Sequence, residues 1–414
     1  MKKSDTTKKS DQDFNKVKVE EDDEAARRRK NLPPSPRPSL PVIGHLHLLK
    51  HPMHRTFHNL AKKYGPIFSL RFGSRLVVVV SSASAAEECF TKNDIVFANR
   101  PKLLLGKHIG YNNTIVTQAS YGDHWRNLRR ITTVEVFSSI RLNMFLPIRR
   151  DETKRLLEKL SRSSSQGGFF KVELKTMFSE LTFNIMMRMV AGKRYYGDDV
   201  EDEEEARRFR RIMKEATSYG GASNPRDFLP ILNWIDGGDF TNKLVSLSKR
   251  IDEFLQGLID EHRIKKAGLE SNNTMIDHLL SLQESQPEYY TDQIIKGLIL
   301  VSDFFLSFLS FACMDPKLWD EPDSFKPERF ETGEGETRKL MPFGLGRRSC
   351  PGSGLAQRVM GLALGSLIQC FEWQRVGDEK VDMTEGKGIT MPKADPLEVL
   401  CKARPITNNV RIFV

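Results

Sequence analysis

Phe343-Gly344-Leu345-Gly346-Arg347-Arg348-Ser349-Cys350-Pro351-Gly352 is a glycine-punctuated loop that delivers one cysteine to the start of an apolar helix. Gly344 and Gly346 lack Cβ, so the backbone can take conformations closed to other residues, and its amides are free to point at a sulfur. Beyond Gly352, the positions Leu355, Val359, Leu362, Ala363, Ser366 and Leu367 repeat with helical spacing, and the N-terminal dipole of such a helix favours negative charge at Cys350. A loop of this kind is expected to hold a thiolate, and a buried thiolate wants a metal. No second cysteine or histidine stands at zinc-finger spacing, so a single axial thiolate to haem iron fits better than a tetrahedral zinc site. A packing cysteine in a glycine-rich turn is the plainer alternative.

Composition bounds the rest. A chain of 414 residues, 39% of them hydrophobic, can bury a large core as one big domain or two smaller ones. Five scattered cysteines, Cys89, Cys313, Cys350, Cys370 and Cys401, argue against a disulfide framework and for a reducing compartment. The net charge of +10 suits an anionic surface or an acidic partner, but dispersed lysines are usually solvated surface, and no nucleic-acid module is present.

The Cys350 loop resembles the haem-binding loop of cytochrome P450 monooxygenases, F-x-x-G-x-R-x-C-x-G, with Phe343, Gly346, Arg348, Cys350 and Gly352 at its fixed positions. The resemblance implies haem b as cofactor and Cys350 as its proximal iron ligand. A second match lies in Tyr121 to Arg130, which opens a helix with Trp125 and Arg129 four apart on one face. In the family this W-x-x-x-R pair bonds the haem propionates, with Arg348 as a third anchor. The run Leu340 to Trp373 and the tail Val381 to Pro392 look more narrowly like plant microsomal enzymes of the isoflavone 2'-hydroxylase type. The resemblance implies a mainly α fold with a small β lobe, a small apolar substrate, and electrons from NADPH through NADPH-cytochrome P450 reductase. It places the family on the cytosolic face of the endoplasmic reticulum and substrate reading in the loop Lys102 to Ser120 and in Ile389 to Pro392.

In chain order, residues 1–30 are nearly all charged or polar and are expected to form a disordered tail where the family carries a membrane anchor. The cluster Arg27-Arg28-Arg29-Lys30 is then left for peripheral lipid contact, followed by a stiff hinge, Leu32 to Pro36. A helix containing Leu60 to Tyr64 precedes a strand pair, Ile67 to Leu70 and Arg75 to Ser81, in which Val77 to Val80 reads as a buried strand. Helical periodicity dominates from Thr153 to Leu160, Phe178 to Val190, Glu203 to Ala216 and Leu244 to Ile264. The stripe Met186, Met187 and Met189 reads as core.

The family pattern then breaks. Thr291 to Val301 looks like the start of the long helix that crosses the haem, but Ser302-Asp303-Phe304-Phe305 stands where a small-residue, acid and threonine motif is expected. The segment beginning at Asp315, with Pro327-Glu328-Arg329-Phe330, follows at once, and the E-x-x-R helix that should hold Arg329 is missing. Residues 31–414 therefore read as one P450 domain with an internal deletion between about 301 and 315. The implied fold is incomplete, with the central helix cut short, and the implied activity is monooxygenation, impaired in this form. The alternative is a non-catalytic product that binds haem or a partner only.

Overall fold

The computed structural model describes residues 31–164, 168–219, 225–232, 238–268, 273–305, 321, 324, 326–331, 341–386 and 393–407, the side chains of 302–305 excepted. The expectations for the charged tail, the Asp315 segment's opening and Ile389 to Pro392 fall outside them. The chain divides into two compact units, one ending at Ala86 and one beginning at Glu87.

In the first unit, α1 (Met53–Tyr64) leads into β1 (Ile67–Phe72) and β2 (Arg75–Val80). These strands form an antiparallel pair with Ile67 opposite Val80. The expectation of a buried strand at Val77 to Val80 is corrected: Val78 and Val80 are exposed and Val77 and Val79 only half-buried, because a two-stranded ribbon covers one face and alternate side chains point away from it. The stiff proline-rich stretch is held in place. Ser69 donates from its amide to Pro34 O (2.8 Å) and from Oγ to Pro33 O (2.9 Å), pinning that stretch along β1.

The second unit is helical. Its long elements are α2 (Asp123–Ile131), α3 (Leu146–Ser163), α4 (Leu174–Ala191), α5 (Glu203–Tyr219), α6 (Asp239–Ala267), α7 (Met275–Ser285), α8 (Asp292–Phe305) and α9 (Ser353–Cys370). A three-stranded antiparallel sheet of β3 (Phe170–Glu173), β4 (Phe371–Arg375) and β5 (Glu398–Ala403) has β5 in the middle, with Cys401 paired to both Phe170 and Trp373.

Local chemistry sets the helix ends. Thr274 and Asp277 form a reciprocal capping box at the start of α7, and Gly192 ends α4 in the left-handed conformation. Leu244, Leu247, Ile251, Leu255, Leu258 and Ile259 bury one face of α6 in a core shared with α5, α7 and α8. A second core joins α3, α4 and α9 through Leu156, Leu157, Leu160, Ile185, Met186, Met189, Leu355, Val359 and Leu367. Met186, Met187 and Met189 are at most 2% exposed, packed in these cores. The string Glu152 to Arg155 is no pair: Glu152, buried, takes Arg188 and Arg194, whereas Arg155 turns to Asp151 and Asp199.

Candidate functional site around Cys350

The loop is tied down before it reaches the cysteine. Gly344 and Gly346 adopt φ of +70° and +67°, a region that penalises side chains. At Gly346 a Cβ would stand 1.9 Å from Phe90 O, so the close backbone approach itself demands glycine. Arg347 then grips Asp94 with two bonds (2.6 and 2.9 Å) and donates to the Tyr121 hydroxyl (2.8 Å). The Cys350 amide donates to Phe343 O (2.8 Å), closing the loop on itself and orienting the half-buried cysteine at the head of α9.

The helix N-terminus pulls on the sulfur in the expected direction, but burial opposes it. Burial pushes the Cys350 thiol up, against the opposing pull of the Gly352 and Ser353 amides and the Arg129 charge. Desolvation of the charged form outweighs the helix N-terminus and one guanidinium.

The sequence-expected helix is α2, and Trp125 is buried within it. Its indole N–H is committed to Val116 O at 2.9 Å. Arg129 donates to Ser349 O, the carbonyl just before Cys350, and reaches Ser349 Oγ at 3.4 Å. Arg348 donates to Ala98 O (2.7 Å), Val116 O (3.3 Å) and Ala119 O (2.7 Å). Trp125, Arg129, Arg348 and Cys350 are thus brought into one neighbourhood, with Val116 O shared by Trp125 and Arg348.

Arg100, which sequence reasoning missed, belongs to the same group. Burial lowers the pKa of Arg100 and Arg129, and lowers Arg348 to about 10, with Arg100 and Arg129 repelling its charge as well. Among the described residues, no carboxylate pairs with any of the three. Such a concentration of positive charge, half-buried at Arg129 and Arg348, suits a dianion with two separate carboxylates, as in haem, and guanidinium to carboxylate bonds are strong. Beside the sulfur, a Cβ on Gly352 would lie 3.8 Å from Sγ and 3.9 Å from the Phe137 ring, so glycine leaves room next to the cysteine. The donor set fits haem. Arg347 and Asp94, also missed, hold the loop rather than a ligand.

Farther from the cysteine, Arg329 is half-buried in a short 3-10 turn, Pro327–Phe330, and donates to Glu321 O (2.6 Å). The side chains of Ser302 and Asp303 lie outside what is described. Among the described residues, no helix is long and apolar enough to cross a membrane.

Comparison with known proteins places the chain in a family. Residues 33–307 and 304–399 match the family model for cytochrome P450 in two pieces that meet at 304–307. Cytochrome P450 81Q32 of Catharanthus roseus is 50% identical over 475 positions, covering 93% of this chain and 94% of that protein. Isoflavone 3'-hydroxylase of Medicago truncatula is 48% identical (93% and 95% covered), and isoflavone 2'-hydroxylase of Glycyrrhiza echinata 44% identical (93% and 94%). An alignment of 475 positions exceeds the 414 residues present, so these relatives carry tens of residues that have no counterpart here. With its mainly helical fold, small sheets and cysteine loop, the chain belongs to the cytochrome P450 family, in an internally shortened form.

Proposed function

We propose that this chain binds haem b through Cys350, with Arg129 and Arg348 serving the propionates, Trp125 joining them once its N–H turns from Val116 O, and Phe343, Gly346 and Gly352 shaping the loop. The observation that carries the reading is the trio Arg100, Arg129 and Arg348, clustered near a lone cysteine, with Arg129 and Arg348 half-buried and no carboxylate paired to them among the described residues. When bound, the haem supplies activation of O2 for insertion of one oxygen atom into a small apolar molecule. The protein's part is to hold the thiolate, neutralise the propionates and exclude water. Isoflavones and related plant metabolites are the substrate class suggested by the names of the relatives, and NADPH-cytochrome P450 reductase is the electron donor the family implies. A peripheral contact through Arg27 to Lys30 at the endoplasmic reticulum belongs to the same reading.

We further propose that the internal shortening, between about 301 and 315, impairs activity. Two observations support this. Leu364 and Ile368, one turn apart on α9, are 48% and 64% exposed, an apolar stripe without cover. Arg149 is 2% exposed and its Nη1 has no hydrogen-bond partner among the described residues, a costly state for a guanidinium. Both are what removal of a packed segment leaves behind. The test compares this chain with one carrying a family-like segment after Val301, in expression, haem content and NADPH-dependent product formation from an isoflavone with reductase present. Restoration should raise all three; equal values would overturn the proposed impairment.

A further inference from the structure

The loop 104–119 is fastened to two long helices by side chains whose role the family motifs do not cover. Ser248 and Asp252, one turn apart on α6, reach it in succession: Ser248 Oγ donates to His108 O (2.7 Å), and Asp252 Oδ1 accepts from the Tyr111 hydroxyl (2.9 Å). The same Asp252 oxygen accepts from Lys296 Nζ on α8 at 2.8 Å, so one carboxylate joins the loop to both helices. Lys296 is only 8% exposed. Its ammonium is compensated by that carboxylate, which gives Asp252 a reason to stay in place.

The loop needs holding. Tyr111, Asn112 and Asn113 have φ of +47°, +57° and +60°, three consecutive residues in a region that asparagine tolerates and tyrosine does not. Five residues on, Val116 O accepts from Trp125 and Arg348, and Ala119 O accepts from Arg348. The tyrosine contact therefore lies at one end of a short, tightly turned segment whose other end receives two of the residues assigned to the haem.

We propose that Tyr111, Asp252 and Lys296 form a latch that fixes the 104–119 loop and, through the Val116 and Ala119 carbonyls, positions Trp125 and Arg348. The positioning claim rests on the haem reading above; the latch does not. Burial and the Asp252 charge raise the Tyr111 pKa, keeping the phenol protonated as the donor the latch needs.

The experiment uses the full chain with Tyr111→Phe, which removes only the hydroxyl, Asp252→Asn, and the double variant. Amide hydrogen exchange in 104–119 should rise about tenfold in Tyr111→Phe, as loss of one charge-assisted bond implies, with α3 and α9 unchanged. Haem transfer to apomyoglobin should speed up several-fold, and the double variant should lose haem no faster than the faster single variant. Unchanged exchange in the loop, or a rise spread over the whole unit, would overturn the latch. Faster exchange with unaltered haem transfer would overturn the positioning claim alone. Should the wild-type chain take up no haem, the haem reading and the positioning claim fall together, while the exchange result still decides the latch.

Discussion

Arg348 lies over the indole of Trp125, its guanidinium carbon 4.6 Å from the ring centroid, and both side chains donate to the carbonyl oxygen of Val116. A cation over a tryptophan face gains from the ring quadrupole, more so when desolvated. The shared acceptor fixes the pair to one loop.

Arg348→Lys tests that arrangement. A lysine ammonium cannot span the Ala98, Val116 and Ala119 carbonyls from one position, since it lacks the planar fork. The variant should lose about 2–4 kcal/mol in urea denaturation, most of it from the carbonyl bonds and the rest from the ring contact. A loss within experimental error would show that the three carbonyls do not depend on the guanidinium.

Gly346 and Gly352 separate backbone need from ligand need. Gly346→Ala places a methyl against Phe90 O at a positive φ and should cost about 3 kcal/mol or more, read as lost soluble expression or a lowered denaturation midpoint. Gly352→Ala meets only ordinary contacts, so its stability should change by no more than about 0.5 kcal/mol, while haem uptake falls because the methyl stands beside Sγ. Equal stability losses in the two variants would contradict the distinction.

Asp292 gives the start of α8 a defined acid response. Arg263 foremost, then Gln283 and Gln256, hold its pKa down at about 2 against partial burial. A carboxylate with a folded pKa below its unfolded value stabilises above the unfolded value, and that contribution is lost as pH falls. Asp292→Asn should therefore be less stable than wild type by about 1–2 kcal/mol at pH 7, a figure discounted for solvent screening. The gap should stay nearly constant down to about pH 5 and close between pH 4 and pH 2. A gap that widens on acidification would reverse the assignment.

Most of the site was legible because its signals are local. The Cys350 loop and the Trp125 to Arg129 spacing each lie within ten residues, and helical periodicity placed α2, α4, α6 and α9. What escaped is non-local or carries no side-chain signature. The carbonyls of Ala98, Val116 and Ala119 accept from Arg348, and a main-chain acceptor looks the same at every residue. Asp94 and Arg100 are ordinary surface types until folding brings Arg347 and Arg348 to them. The environment of the thiol was legible only in part: the helix dipole and the glycine loop are visible in sequence, whereas the desolvation that opposes them is a property of the packed chain. In the first unit, Val77 to Val80 showed its strand propensity but not that it faces solvent on alternate residues.

The central claim is that Cys350 ligates haem iron, and the reduced, carbon monoxide-bound absorption spectrum reads it directly. Wild-type chain reconstituted with haem should show the red-shifted Soret band of thiolate ligation, and Cys350→Ala should lose that band. A band typical of histidine ligation in the wild type, or an unchanged spectrum in Cys350→Ala, would contradict the account.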